Sequence, residues 1–542
     1  MLFNYIVAII GGLGAFLVGC KLLSDNLEKI ANKGIKKLFN KSSNNRFVGV
    51  GIGLVSTGIV QSSGLTTVIV VGLVNAGVMT LFQATSVIMG ANIGTTVTAF
   101  IAMLGTIPVM EVFFIFTTIG IFTAMVSKKD SLKTIGLILS GLGLIFIGLN
   151  MMKNGFADIR SLEGVGDAIE GFLATMQNPI LLLLIGIVFT TLTQSSSVIT
   201  SILVTMAASG LLVGGGGNAV LYLILGTNIG STTTALLSSI GTGTNAKRAS
   251  LIHLLFNTFG TLIFFIIFLC WPTFMDNVIA SWIADPGLQI AVFHTFFNII
   301  CTVLFIPFVN VFVTISKLII KDKGTENVSL LDKRILNVTA LAIESASKEM
   351  MRILDCAMDT FDKALKGFYD SDQSTINSLE KSVEDINTSG QNVTDYLVKI
   401  SATENNNHET EQLLSSMHYA IGDIIRVGEL ALNITKYTKR RVRDDLNFSE
   451  KVIVDLKKFK DVIYEQYLTS KSVFETRNKD LLQTVDELED KIDHTRRRLV
   501  NEHIERLNTG ECKPESSSVF INLVNNMERI GDHLDTLAHG VN

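Results

Sequence analysis

Residues 57–67 read TGIVQSSGLTT and residues 190–200 read TTLTQSSSVIT, so a polar tetrad, Gln61-Ser62-Ser63-Gly64, returns as Gln194-Ser195-Ser196-Ser197. Both tetrads lie in apolar surroundings. Between Phe47 and Ser127 the single formal charge is Glu111, and between Pro179 and Ala246 there is none. Hydroxyls and amides placed there are costly unless they pair or bind something. Helix-packing glue accounts for one such tetrad; a duplicated one asks for more.

Working outward, the chain of 542 residues has a mean hydropathy of +0.43, and its apolar runs are long enough to cross a bilayer. They fall at about 2–23, 47–78, 81–104, 107–127, 132–152, 179–211, 219–240, 249–270 and 288–318. Residues up to about 320 are therefore read as membranous, and the charged residues beyond as soluble. The first run lacks a basic leader and a small-residue cleavage site, so it reads as a retained span. The two tetrad-bearing runs exceed one crossing and fall short of two, which fits a re-entrant hairpin buried in protein. Basic residues support that arrangement. With both runs re-entrant, Lys29 to Arg46, Lys128 to Lys133, Lys247 with Arg248, and Lys317 to Lys323 all fall on the cytoplasmic side.

The duplication extends past the tetrads. GGLGAFLVGCKLLSDNLEKI at 11–30 recurs as SGLGLIFIGLNMMKNGFADI at 140–159, matching Gly12 to Gly141 and Gly19 to Gly148. After each tetrad comes a second motif, Gly90-Ala-Asn92-Ile-Gly94-Thr95-Thr96 and Gly226-Thr-Asn228-Ile-Gly230-Ser231-Thr232. Three spans between equivalent positions give the copies opposite orientation. Inverted repeats with interrupted helices are the architecture of secondary transporters.

Two hairpin tips would aim helix N-termini, amide N–H groups and hydroxyls into one cavity, an environment suited to an anion. The same hydroxyl and carbonyl oxygens suit a hard cation such as sodium. Neither motif contains a carboxylate, so a bound sodium would rely on the anion for its counter-charge.

The paired tetrads, the GANIGTT and GTNIGST motifs and the duplication resemble the type II sodium/phosphate cotransporters over about residues 1–320. The resemblance implies sodium-coupled uptake of inorganic phosphate by alternating access. By position it nominates Gln61, Ser62, Ser63, Gln194, Ser195, Ser196 and Ser197 for phosphate and sodium, with Asn92, Thr95, Thr96, Asn228, Ser231 and Thr232 as second candidates. Gly64 stands where the fuller motif has a third serine, and Thr66 is a candidate to replace that hydroxyl.

His253 with Asn257, and His294 with Asn298, share a four-residue spacing that puts each pair on one helix face, where interhelical hydrogen bonding is the simpler reading. An intramembrane serine hydrolase built from Ser63 and one of these histidines is set aside, because a catalytic dyad needs one serine and not a duplicated tetrad. The protein is read as no enzyme, needing no cofactor beyond sodium as coupling ion. Five cysteines show no ligand or disulfide spacing.

From about 325 the pattern becomes amphipathic helix. Ala342, Ala346, Met350, Leu354, Met358, Phe361 and Leu365 step by three and four, and further stretches near 373–402, 408–437, 446–470, 472–507 and 515–538 complete six helices, enough for two three-helix bundles. Asp423-Ile-Ile-Arg426-Val-Gly428-Glu429 recurs as Asn526-Met-Glu528-Arg529-Ile-Gly531-Asp532. These elements resemble the PhoU domain of phosphate regulation. That resemblance implies metal binding through Glu528 and Asp532, spaced E-x-x-x-D, while Ile425 replaces the first acid in the other copy.

The expected fold is all-α: a polytopic plasma-membrane transporter with inverted repeats (about 2–127 and 132–270), two re-entrant hairpins and a final span at 288–318, followed by a cytoplasmic PhoU-like pair of three-helix bundles at 325–542. Expected partners are inorganic phosphate, sodium and the lipid bilayer, and a second copy if the chain is a homo-oligomer. The charge pattern offers nothing to nucleic acid. A membrane-anchored phosphate sensor that transports nothing is the alternative.

Overall fold

The computed structural model describes residues 1–40, 45–105, 107–321, 331–332, 335–336, 339–402, 408–512 and 514–540. The chain forms two units, Met1–Val328 and Ser329–Asn542. Among the described residues every regular element is helical.

The first unit runs α1 (Leu2–Asn40), α2 (Arg46–Val60), α3 (Ser63–Asn75), α4 (Leu81–Thr95), α5 (Val97–Leu104), α6 (Phe114–Val126), α7 (Asp130–Ser161), α8 (Val165–Thr175), α9 (Pro179–Thr193), α10 (Ser196–Ala208), α11 (Ala219–Ser231), α12 (Thr233–Ser238), α13 (Thr244–Cys270), α14 (Pro286–Phe305) and α15 (Val309–Ile319). Six helical stretches are long and apolar enough to span a bilayer: Leu2–Ile30, Leu81–Leu104, Asp130–Ser161, Ala219–Ser238, Thr244–Cys270 and Pro286–Ile319. Large apolar side chains such as Phe3 and Ile10 on α1, and Phe189 and Leu192 on α9, face outward, as lipid requires.

Each tetrad run is a pair of short helices with the tetrad at the break, 15 and 13 residues in α2 and α3 and the same in α9 and α10. Neither member reaches the roughly 20 residues of a crossing. The expected span at 107–127 is shorter than its hydropathy suggested. Pro108 opens a tight 3-10 turn, Pro108–Phe113, and α6 begins only at Phe114.

The duplication reappears in the packing. Helix α1 lies along α7, α2 along α4, and α9 along α11 in the second copy. A Cβ at Gly12 would meet the Gly148 carbonyl oxygen at 2.7 Å, and one at Gly19 would meet the Gly141 carbonyl oxygen at 2.7 Å. Contacts in that order require α1 and α7, which match in sequence, to cross antiparallel. Helices approach this closely only where a side chain is missing.

The second unit consists of α16 (Thr339–Asp370), α17 (Ile376–Ser401), α18 (His408–Arg443), α19 (Glu450–Thr476), α20 (Leu482–Asn508) and α21 (Pro514–His539). Helices α16, α17 and α18 pack as one bundle and α19, α20 and α21 as another, joined through α18 with α21 and α16 with α19. Phe361, Phe368, Phe459 and Phe520 are among its fully buried side chains.

Candidate functional site

The two breaks share one backbone. Gln61 ends α2 at φ 58, ψ 22, and Gln194 ends α9 at φ 52, ψ 24, both left-handed. Ser62 and Ser195 follow in extended conformation, at φ −143 and −148, and cap the next helix. Ser62 Oγ accepts the Leu65 amide at 3.2 Å, and Ser195 Oγ accepts that of Val198 at 3.4 Å. A left-handed glutamine costs of order 1 kcal/mol, and finding it twice marks a feature the fold maintains.

This geometry decides which donors are left over at each break. The first amides of a helix have no partner inside it. The cap serines satisfy those of Leu65 and Val198, leaving the amides of Ser63 and Gly64, and of Ser196 and Ser197, at the helix N-termini. Because each cap oxygen already accepts, its own hydroxyl hydrogen is available to donate outward. Each break thus offers two amides, a cap hydroxyl and the following serine hydroxyls at the positive end of a helix, the donor set of an oxyanion site.

The side chains around the breaks differ. In the first copy Thr98 on α5 donates to Gln61 Oε1 at 3.0 Å, the Gln61 amide nitrogen donates to the Gly58 carbonyl, and Thr57 Oγ1 donates to Thr66 Oγ1 at 3.0 Å. Thr66 also donates to the Ser62 carbonyl at 3.1 Å, so its hydroxyl serves the break itself. In the second copy Gln194 is exposed and has no hydrogen-bond partner among the described residues. Thr190, the counterpart of Thr57, finds Ile199 where Thr66 would be, and its buried Oγ1 is unpartnered. The hydroxyls of Thr200, Ser201 and Thr234 are likewise buried without partners.

The second motifs mark further interruptions, at Thr96 between α4 and α5 and at Thr232 between α11 and α12. Thr95 donates to the Ala91 carbonyl at 3.0 Å, Thr96 to Ile93 at 2.8 Å, Ser231 to Asn228 at 2.7 Å and Thr232 to Ile229 at 2.7 Å. These four hydroxyls bond their own helices, the usual alternative for mid-helix Ser and Thr. Asn92 donates to Asn257 Oδ1 at 3.1 Å and its Oδ1 lies 3.3 Å from His253 Nε2, tying α4 to α13. Asn228 instead donates to the Ile224 carbonyl at 2.9 Å, while His294 Nδ1 and Asn298 Oδ1 are buried and unpartnered.

Helix α3 packs against α12 and α13 of the second copy, and α10 against α5 of the first copy and against α14 beyond both. A Cβ at Gly64 would stand 3.4 Å from Thr234 Cγ2, so the missing serine side chain is faced across the copies by a threonine. Thr98 and Thr234 occupy equivalent positions two residues beyond the second motif, and the sequence motifs stop short of both.

In the second unit the E-x-x-x-D pair Glu528 and Asp532 on α21 is joined by Glu489 and Asp493 on α20, a second pair with the same spacing. Burial and then the neighbouring Asp532 raise Glu528 above the usual carboxylate range, with Arg496 opposing. Burial also raises Asp532. Arg496 lies 3.3 Å from Glu528 and 3.6 Å from Asp493, supplying the positive charge that four crowded carboxylates need. Asp486, Asp535 and His539 form a further group whose ligand atoms lie within 4.8 Å of one another. The first bundle has lost this chemistry. Gly428 packs on Ile386 as Gly531 packs on Ile492, and that register sets Val383 and Asn387 opposite Glu489 and Asp493, with Ile425 against Gly390 where Glu528 meets Arg496.

Broken helices with N-terminal amides left over and buried hydroxyls without a carboxylate are the donor set that a membrane carrier of oxyanions would need. Residues 15–154 and 161–273 match the family model described as Na+/Pi-cotransporter, and residues 350–438 and 456–541 match that of the PhoU domain. The chain belongs to the Na+/Pi-cotransporter family and carries a PhoU domain after its membrane half. YjbB of Salmonella typhimurium, whose provisional name describes inorganic phosphate export, is 23% identical over 540 residues, covering 96% of this chain and 95% of that protein. The uncharacterised Bacillus subtilis protein YqeW is 29% identical over 309 residues, 57% of this chain and 96% of its own length. Human sodium-dependent phosphate transport protein 2B is 36% identical over 95 residues, 17% of this chain and 14% of that one. No solved structure matches the chain significantly.

Proposed function

We propose that residues 1–320 carry inorganic phosphate across the membrane coupled to sodium, by alternating access, with phosphate and sodium held between the two Gln-Ser-Ser breaks. The observation that carries this reading is the twofold occurrence of one strained backbone, a left-handed glutamine followed by a serine cap. In each copy it exposes two amides and a donating hydroxyl. A phosphate dianion accepts from these donors. Sodium takes hydroxyl and amide oxygens, with the anion as its counter-charge, and each ligand then raises the other's affinity. Gln61, Ser62, Ser63, Gln194, Ser195, Ser196 and Ser197 are the proposed ligands, joined by Thr234. The breaks are read as re-entrant hairpins of an inverted repeat, and the basic loops as cytoplasmic.

An inward sodium gradient drives such a carrier toward uptake. The export named for YjbB supports the opposite direction, which the same coupled cycle runs when the gradients reverse. Residues 325–542 are proposed to lie in the cytoplasm and regulate the carrier, with Glu489, Asp493, Glu528 and Asp532 able to hold a hard cation once Arg496 turns aside.

Labelled phosphate flux in proteoliposomes, with sodium replaced by potassium on either side, tests the reading. Flux that follows the sodium gradient in both directions supports it. Sodium-independent flux removes the coupling, and absence of flux in folded protein leaves the sensor reading in its place.

A further inference from the structure

We infer that Ser24, on helix α1, is a positioning residue that holds the first break in its ligand-ready shape, and that among the described residues the second break has no equivalent tie. Where α2 ends at Gln61 its last carbonyls lose their helical partners. The Thr57 carbonyl accepts the Gln61 amide at 2.7 Å, the Gly58 carbonyl accepts the Gln61 side chain, and the Val60 carbonyl accepts Ser24 Oγ at 2.8 Å. The last of these bonds comes from outside the break, across 36 residues of sequence. Its donor sits on the helix that is packed glycine to glycine against α7.

The duplication supplies the control. In the register that matches Gly12 to Gly141 and Gly19 to Gly148, Ser24 corresponds to Lys153, a side chain that cannot deliver a short hydroxyl bond to the preceding helix end. There α7 ties to the opposite end of the break helix, the Lys153 carbonyl accepting Ser209 Oγ at 3.0 Å. The surroundings match this difference, for Thr98 and Thr66 close the first break, whereas the buried hydroxyls of Thr190, Thr200 and Ser201 have no partner among the described residues. The first half-site is therefore preformed and the second gains its partners when ligand arrives. Positioning by Ser24 is independent of what the ligand is. Its effect on phosphate rests on the function proposed above.

Hydrogen exchange and phosphate transport of the full chain, compared among wild type, Ser24→Ala and Ser24→Thr, test the inference. In wild type, amides 58–65 exchange more slowly than 191–198. Ser24→Ala speeds exchange at 58–65 about tenfold, as loss of a local tie does, while α7 stays as protected as before. The phosphate KM rises about fivefold with the maximal rate within about twofold, since a misplaced half-site weakens ligand binding first. Ser24→Thr, which keeps the hydroxyl, restores both. Unchanged exchange at 58–65, equal loosening of α7, or a lower maximal rate with unchanged KM overturns it. If wild type moves no phosphate, the exchange comparison still decides the role of Ser24, and the proposed function is what falls.

Discussion

The first and second breaks have nearly the same backbone and opposite side-chain economies. Around Gln61 the hydroxyls and amides of the motifs have protein partners, Thr57 with Thr66, Gln61 with Thr98, and Asn92 with His253 and Asn257, although His253 Nδ1 and Ser56 Oγ are buried without one. Around Gln194 the counterparts Thr190 Oγ1, Thr200 Oγ1 and Asn298 Oδ1 are buried without one, whereas His294 Nδ1 only matches His253 Nδ1. A buried polar atom left unpaired costs about 1–3 kcal/mol, so their accumulation in one copy needs a reason. The difference teaches that duplicated motifs can keep a common backbone while one copy pairs more of its polar side chains than the other.

The largest expected effect tests what the breaks still share. Ser63→Ala and Ser196→Ala each remove a donor to a charged ligand, and sodium-dependent phosphate flux falls by about ten- to a hundredfold, the equivalent of ~1.5–3 kcal/mol. If only one of them matters, the breaks do not share the ligand. Next comes the contrast between the asparagines. Asn257→Leu strands the Asn92 amide in the core and lowers the thermal stability of the detergent-solubilised chain by about 1–3 kcal/mol. Asn298→Leu removes an unpartnered Oδ1 together with one local bond, from its Nδ2 to the His294 carbonyl at 2.8 Å, strands no other side chain, and costs less than about 1 kcal/mol. Equal losses would break the comparison.

A smaller change sharpens it. Ile199→Thr rebuilds in the second copy the pair that Thr57 and Thr66 make in the first. It stabilises that break by about 1 kcal/mol, slowing hydrogen exchange at 190–200 and phosphate turnover with it. Unchanged exchange would show that Thr190 is not the loose end it resembles.

The smallest effect belongs to the PhoU domain, where the two copies also diverge. Glu528 and Asp532 have folded-state pKa values raised by burial, so the folded state holds protons that the unfolded state has lost between the usual carboxylate range and the raised values. Stability from this pair is fully present below that window and declines as pH rises through it. Exchange in α20 and α21 therefore slows as pH falls into the window, after correction for the intrinsic rate. Glu528→Gln with Asp532→Asn flattens the trend, and the Val383 and Ile425 face of the first bundle shows none.

Much of this was legible in the chain itself. A tetrad of small polar residues in a charge-free run announced the breaks, and the matched glycines are where α1 and α7 meet antiparallel. The six amphipathic stretches after 325 became α16 to α21, except that the fourth runs on to Thr476 and the fifth begins only at Leu482, ten residues later than expected. The expectation missed what depends on neighbours distant in sequence. Ser24, Thr98 and Thr234 sit among ordinary hydroxyl residues, and only the packing of α1, α5 and α12 brings them to a break. Thr66 resembled a substitute ligand, yet its hydroxyl is taken by Thr57 and the Ser62 carbonyl. The Glu489 and Asp493 spacing was visible but carried no weight until α20 was seen beside α21. Hydropathy overestimated the run at 107–127 because it does not register that Pro108 delays the helix.

Equilibrium binding of labelled phosphate to the purified full chain, in sodium and in potassium, with wild type beside Ser63→Ala and Ser196→Ala, tests the central claim most directly. The account requires binding that depends on sodium and is lost in both variants. Binding that is indifferent to sodium, or that survives both substitutions, would place the ligand elsewhere.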